Sequence, residues 1–390
     1  MPAKKDLPWS PFTLGKKPKA LLNHISLFSG AGGTDVGLHF AGFKTLFAND
    51  IEKNAVETFW HNLDKKKTVA VCGDITKLEL PNFIGRKIHL LTAGFPCQPF
   101  SNAGDRLGTS DPRGQLYLSV LKAVDHFKPE VVLLENVRGI TTSLHQGKLV
   151  IETIMENLEE RGYKVSFKLV DASDYRVGQR RLRLLIVGTK KKTPFIFPSA
   201  KDKEGLRMGD ILEGRINGIP NSEERIKLSP GTESMLRLVP LGGSWKDVPY
   251  GKLTLRFKKI RDNMKKYHAP KFYRKFTKKD ICGTMTAAFT PENSCVWNPC
   301  SDKLMTVRDC ARIQSFPDWF EFKGSTLRSK HKQIGNAIPP RLAFEVGTAI
   351  AAHLLEKELK NRTAVVTYKT ICNGKTSLKV SEETIIRQSE

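Results

Sequence analysis

From residue 24 onward, short apolar runs alternate with stretches whose apolar positions recur at helical spacing. Runs of strand length lie at 25–29, 45–49, 68–72, 89–93, 130–134, 165–170 and 182–188. Helix-like stretches lie between most of them, at 35–41, 53–62, 115–127 and 149–161. This alternation predicts an α/β fold with a doubly wound, mostly parallel sheet. The rhythm breaks at Thr189. Residues 190–290 carry scattered Gly and Pro and few clear periods, which predicts a second, smaller and irregular domain. Helical signals return at 307–315 and 340–357, the latter opened by Pro339 and Pro340. Beyond residue 360, alternating Val and Thr flank Asn373 and Gly374, a pattern that predicts a β-hairpin. The division expected is a basic arm at 1–23, an α/β domain at 24–190, the irregular domain at 191–290, a return segment at 291–360 and an extension at 361–390.

Composition narrows the class. The 390 residues hold 64 Lys and Arg against 40 Asp and Glu, a net charge of +24. Such a surplus favours a polyanionic partner, because each neutralised phosphate releases a condensed counterion. The bias is local as well: residues 251–279 contain twelve Lys or Arg and one acid, Asp262. No apolar run is long enough to span a membrane, and Met1-Pro2-Ala3-Lys4-Lys5 is followed by no secretory apolar region. The seven cysteines are odd in number and contain no CxxC pair, so a disulfide framework is not expected. Cys295, Cys300 and Cys310 lack the usual zinc-ligand spacing, and no metal is expected.

Candidate chemistry sits where strands end. Phe28-Ser29-Gly30-Ala31-Gly32-Gly33 follows the first strand and precedes a helix. Glycines there allow a sharp turn and close approach to a ligand, although a plain tight turn has the same appearance. The dinucleotide fingerprint fails, since Asp35 occupies its third glycine position. Asp50 ends the second strand, where a carboxylate can accept from ribose hydroxyls. Asp74 ends the third, placed to accept from an adenine amino group. Each acid alone could equally be a helix cap. Three consecutive strand ends so equipped point to an adenosine-containing cofactor, with Ile51 and Ile75 beside the acids. The fourth strand leads into Gly94-Phe95-Pro96-Cys97-Gln98-Pro99-Phe100-Ser101. A cysteine bracketed by prolines at the carboxyl edge of a sheet is placed as a nucleophile rather than as core packing. Glu135-Asn136-Val137 closes the fifth strand, and Gln179-Arg180-Arg181-Leu182-Arg183 opens the seventh.

These segments resemble, in order, the motifs of the cytosine-5 DNA methyltransferase family of the bacterial restriction-modification type. Two later segments extend the resemblance: residues 306–317 (TVRDCARIQSFP) and 333–339 (QIGNAIP). It covers roughly residues 24–190 and 300–350. The resemblance implies S-adenosylmethionine as cofactor, held by Phe28, Gly30, Gly32, Gly33, Asp50, Ile51, Asp74, Ile75, Pro96 and Asn336. It implies Cys97 as nucleophile toward cytosine carbon 6, with Glu135, Arg181 and Arg183 completing the catalytic set. The target base is then flipped out of double-stranded DNA. Gln98, Ser101 and Arg113 would contact DNA from a loop at 101–113 that closes over the base. Residues 195–285 would form the target-recognition domain, with Arg256, Arg261 and Arg274 as candidate guanine contacts. The implied protein is a monomeric cytoplasmic enzyme associated with the nucleoid through DNA, without membrane contact.

Departures are modest. Ser26 stands where the family commonly has an acid, Gly178 where it commonly has proline, and Leu182 separates the two arginines where an acid is common. A tRNA cytosine-5 methyltransferase of the same motif family is the alternative reading. The long basic gap between Gly188 and Met305 favours duplex DNA. A nicotinamide dehydrogenase is disfavoured by the missing third glycine.

Overall fold

The computed structural model describes residues 22–95, 112–145, 147–200, 205–214, 218–264, 272–355, 362–372 and 375–383. All seven expected strands form one sheet. They are β1 (Leu22–Leu27), β2 (Phe43–Asp50), β3 (Ala70–Cys72), β4 (Leu90–Ala93), β5 (Val131–Val137), β6 (Lys164–Asp171) and β7 (Leu182–Thr189). Their order is β3-β2-β1-β4-β5-β7-β6. β3, β2, β1, β4 and β5 pair in parallel, and β7 runs antiparallel to both β5 and β6. The sheet is thus mostly parallel, as the alternating pattern predicts. A parallel neighbour for β6 would have required a crossover of a dozen or more residues. Only ten residues separate β6 from β7, so the chain turns back instead.

Successive residues of each central strand enter opposite cores, as the two-residue period of a strand requires. Leu91, Val132, Leu134 and Ile186 pack with Val120 and Val124 of α3 (Pro112–Phe127) and Ile151 and Ile154 of α4 (Val150–Glu159). Leu90, Val131, Leu133 and Leu185 pack instead with Leu38 of α1 (Gly33–Phe40) and with Leu342, Val346 and Ile350 of the return helix Pro340–Leu354. That helix lies closely against α1, with a glycine of each helix at the contact. A Cβ on Gly37 would fall 2.2 Å from the Pro340 carbonyl oxygen, and one on Gly347 would fall 2.6 Å from Leu38. The C-terminal part of the chain thereby closes the fold begun by its first helix.

A third core joins residues 208–289 to the return segment. Trp245, Phe257, Tyr273 and Met285 share it with Ile313, Phe316 and Ile334. The helix expected at 307–315 is present at Val307–Ile313. A further helix, Leu327–Asn336, had no counterpart in the hydrophobic pattern. The strands Arg362–Cys372 and Lys375–Glu383 pair antiparallel with Cys372 opposite Lys375, which is the expected hairpin register.

A polar cluster fastens α1 beneath the sheet. Asp35 is buried and accepts from Ser26 Oγ and Thr45 Oγ1, both at 2.9 Å, with His24 Nδ1 at 3.6 Å. Burial pushes the Asp35 carboxyl up to about 6 and the His24 ring down to about 3. The two act with opposite sign on stability. Between its unfolded value near 4 and its folded value, Asp35 binds more proton when folded, so its contribution falls as pH rises. His24 binds less proton when folded below its unfolded value near 6.5, so its contribution rises with pH. Across pH 4–6 the two largely cancel. Asp35→Asn removes one side of this balance. The unfolding free energy of the variant relative to wild type should therefore rise by about 2 kcal/mol from pH 4 to pH 6. Urea titrations across that range check it, and a constant difference would contradict the assigned ionisation.

Candidate active site

The glycine-rich turn, Asp50 and Asp74 gather at the carboxyl ends of β1, β2 and the short β3. Phe28 takes a left-handed backbone (φ 53°), a strained conformation for a bulky residue, and its half-buried ring packs on the core beneath the rim. Gly30 is also left-handed (φ 54°), and a Cβ there would meet nothing within 4 Å, so this point of the turn is open. Gly32 (φ 90°) is crowded instead, with Phe59 of the helix Lys53–Asn62 and Leu63 just after it inside 3 Å of a virtual Cβ. Gly33 backs onto the Ile338 carbonyl. Openness is thus confined to Gly30, while Gly32 and Gly33 serve close packing.

Asp50 is oriented by backbone amides. Its Oδ2 accepts from Gly30 N–H at 2.7 Å and its Oδ1 from Glu52 N–H at 2.8 Å. Burial nevertheless holds its carboxyl above the ordinary value. Ile51, next along, is 67% exposed, an apolar side chain presented to solvent at the rim. Asp74 accepts from the Thr76 amide and hydroxyl, which hold its carboxyl below the ordinary value. Ile75 faces inward and is buried. Asn336 ends its helix exposed, just before the segment that backs the glycine turn. An open glycine, a backbone-aligned carboxylate and an exposed aliphatic side chain together fit a nucleoside with its ribose on the acid and its base on the isoleucine.

The second group lies where β5 meets β7. Glu135 is opposite Leu185 and Val137 is opposite Arg183. Glu135 and Arg183 are therefore diagonal neighbours on one face, within reach of long side chains. Arg183 Nε lies 2.7 Å from Glu135 Oε1, both side chains being largely shielded from solvent. Glu135 Oε2 would be 3.4 Å from a Cβ on Gly94, so the absence of a side chain at Gly94 leaves the carboxylate room. Asn136 points to the other face and donates to the Phe95 carbonyl at 3.2 Å. It anchors the chain two residues before Cys97. Pro96, Cys97, Gln98 and Ser101 lie outside the described residues, as does the side chain of Arg113 in the first turn of α3.

Arg181 is fully buried. It donates to the carbonyls of Met285 (3.2 Å) and Gly335 (2.8 Å), and its Nε has no partner. Burial brings its guanidinium down to about 9, with Arg183 acting in the same direction and Glu135 against it. Both terminal nitrogens are engaged by backbone, so Arg181 acts by holding two segments against the sheet. Gln179 does likewise: it bonds to Gln314 and accepts the Met285 amide at 3.1 Å. Gln314 in turn donates to the carbonyls of Ile334 and Ala337. The backbones meet so closely that a Cβ on Gly335 would lie 2.5 Å from Thr286 and Ala287. Four motifs more than a hundred residues apart in part converge on this buried junction. The partners of Asn136, Gln179 and Gln314 were beyond sequence reasoning, although their motif positions marked the residues themselves.

Outside Glu135 and Arg183 opens a cleft of about 780 Å³. One wall is Val137, Arg138, Arg180 and Arg183, and the opposite wall is the segment from Arg274 to Thr284. Its two acids are engaged elsewhere. Asp171 accepts from the amides of Ser173 and Arg181, and Asp280 from Thr277. The cleft therefore presents a surplus of arginine.

Comparison with known proteins decides the family. The family model for C-5 cytosine-specific DNA methylases matches residues 22–352. The chain belongs to that family. It is 35% identical over 350 residues to the type II methyltransferase M.PspPI of Psychrobacter sp. (strain TA137), covering 86% of this chain and 80% of that protein. It is 32% identical over 352 residues to the type II methyltransferase M.Eco47II of Escherichia coli, covering 85% and 79%. Among solved structures, a putative DNA modification methyltransferase encoded within a prophage (E. coli) aligns with TM-score 0.60 and 25% identity, over 86% of this chain and 100% of that one. The S. pombe Dnmt2 methyltransferase shares the fold, with TM-score 0.58 and 21% identity over 86% and 98%. The cytosine-5 DNA methyltransferase is thus built on an α/β sheet of the kind such enzymes share. Among the described residues no helix is long and apolar enough to cross a membrane.

Proposed function

We propose that this methyltransferase modifies carbon 5 of a cytosine within a specific double-stranded DNA sequence, with S-adenosylmethionine as donor. The observation that carries the reading is the Glu135–Arg183 pair, set beside Gly94 at the root of the Cys97 loop and facing an arginine-lined cleft. Bound on Gly30, Asp50 and Ile51, the cofactor supplies an electrophilic sulfonium methyl. Carbon 5 of cytosine is too weak a nucleophile to take that methyl unaided. The Cys97 thiolate adds to carbon 6, and the ring electrons move to carbon 5 as an enamine. Glu135 holds the exocyclic amine and, in its protonated form, shares its proton with N3, which draws electron density from carbon 6; the proton returns to Glu135 when the adduct breaks down. Arg183 keeps Glu135 in place and stabilises charge developing on the ring. Carbon 5 takes the methyl as S-adenosylhomocysteine leaves, water then accepts the carbon 5 proton, and the carbon 6–sulfur bond breaks to restore the thiolate and the aromatic ring. Arg181 takes the part of a positioning residue.

Carbon 6 is inaccessible inside a stacked duplex, so the cytosine is flipped into the site. The segment expected as a loop at 101–113, whose last two residues open α3, would close over it from the DNA side, with Gln98, Ser101 and Arg113 as its DNA contacts. Residues 191–290 act as the target-recognition domain: the basic stretch at 251–279 docks on phosphates, and side chains in the groove read bases. The relatives are type II methyltransferases, and protection of host DNA in a restriction-modification system is the matching biological role. Bisulfite sequencing of DNA from a bacterial host expressing the protein tests the reading. Cytosines protected at one short recurring sequence are expected. Uniform conversion would refute it.

A further inference from the structure

The three arginines expected to read guanine occupy different environments. Arg261 donates to the carbonyls of Val248 (3.1 Å) and Lys246 (2.7 Å) and so staples its own region together. Arg256 is exposed, lies 3.8 Å from Glu292, and is not part of the cleft wall. Arg274 lines the cleft that contains Arg183, and its side chain makes no hydrogen bond or ion pair to another described residue.

Its support is unusually firm for a residue of an irregular segment. Along 273–276 the side chains alternate. Tyr273 is fully buried, and Lys275 is 4% exposed with its ammonium 3.9 Å from the centre of the Trp297 ring. Arg274 and Phe276 take the intervening positions and face the cleft together. The backbone is fixed on both sides of Arg274. Tyr273 donates to the Pro291 carbonyl and accepts from the Trp245 amide, and Lys275 donates to the Gly243 carbonyl. The guanidinium of Arg274 lies 5.2 Å from the centre of the Phe276 ring. Its Nε is buried without a partner, which leaves the two terminal nitrogens as the working end. A planar fork, braced on an aromatic ring and with no hydrogen-bond or ion-pair partner among the described residues, matches the O6 and N7 acceptors on the major-groove edge of guanine.

We propose that Arg274, braced by Phe276, reads one guanine of the recognised sequence in this cleft. The proposal rests on sequence-specific methylation of duplex DNA as set out above. Binding is measured on duplexes carrying the bisulfite-mapped site, with each guanine replaced in turn by 7-deazaguanine. That base keeps Watson–Crick pairing and lacks the N7 acceptor. At one position the replacement should weaken wild-type binding by about 5-fold or more. The same replacement should cost Arg274→Ala less than about 2-fold, because the fork it serves is gone. Arg274→Lys keeps the charge and a donor that can reach N7 but loses the planar fork, so its penalty should fall between those of wild type and Arg274→Ala. Binding alone is read, so a variant slow in catalysis still reports. Wild-type indifference at every guanine, or an undiminished penalty in the variants, would overturn the assignment. Absence of any mapped site would appear earlier, at the bisulfite step, and would defeat the underlying reading instead.

Discussion

Cys97→Ala is expected to abolish incorporation of labelled methyl groups into DNA while leaving cofactor affinity within about 3-fold of wild type. The expectation follows from a division of labour across the sheet edge. The residues suited to the cofactor stand at the ends of β1, β2 and β3, with Asp50 fixed by the Gly30 and Glu52 amides. Cys97 follows β4, on a chain tethered through Phe95 to Asn136. On the proposed mechanism, removing the sulfur deletes the step that makes carbon 5 nucleophilic, while the contacts that fix Asp50 come from Gly30 and Glu52. Without covalent activation the barrier rises beyond compensation by binding, and each 1.4 kcal/mol is tenfold in rate. Calorimetry of cofactor binding beside the methylation assay separates the two effects. Turnover retained in the alanine variant would remove Cys97 from the mechanism.

Glu135→Gln should lower the single-turnover rate by about 10²–10⁴-fold and weaken DNA binding far less. Glutamine preserves the shape and can still face the exocyclic amine, but has no proton to give N3. It also leaves Arg183 without its charged partner at 2.7 Å, in a place where both side chains are mostly withdrawn from solvent. The lost pairing adds to the kinetic defect, because an unneutralised arginine no longer holds the residue at 135 in one orientation. Rapid-quench measurement with enzyme in excess, alongside equilibrium binding to the same duplex, distinguishes a chemical defect from a binding one. Equal single-turnover rates would exclude Glu135 from proton delivery.

Much of the catalytic region was legible because its signals are local. Seven apolar runs became seven strands, and the helix expected at 53–62 is Lys53–Asn62 in the structure. The fifth strand runs on past the apolar run at 130–134 to Val137, the residue with which the sequence reading closes it, because Glu135 and Asn136 pair with Leu185 and Leu184 on β7. The helix Leu327–Asn336 escaped notice because few of its residues are apolar. Its burial comes instead from His331 stacked on Phe289 at 4.3 Å and from Gly335 pressed on another backbone. Such contacts join distant segments and leave no period in the sequence. The same reason hid the part played by Arg181. A charged residue in a motif suggests substrate contact, whereas the carbonyls of Met285 and Gly335 that engage it are identified only by the folded chain.

The junction of Arg181, Gln179, Gln314 and Gly335 also sets a condition on synthesis. Residues 22–189 can emerge from the ribosome and begin to form their sheet, but Arg181 and Gln179 then wait for partners up to 154 residues downstream. Pairings of such long range are slow to form, because the loop entropy is lost before the contact is gained. A nascent or prematurely terminated chain ending before residue 335 therefore lacks the Gly335 half of the lock on Arg181 and the helix that covers α1. Chains cut short before this helix are therefore expected to lack methyltransferase activity, which awaits translation past Leu354.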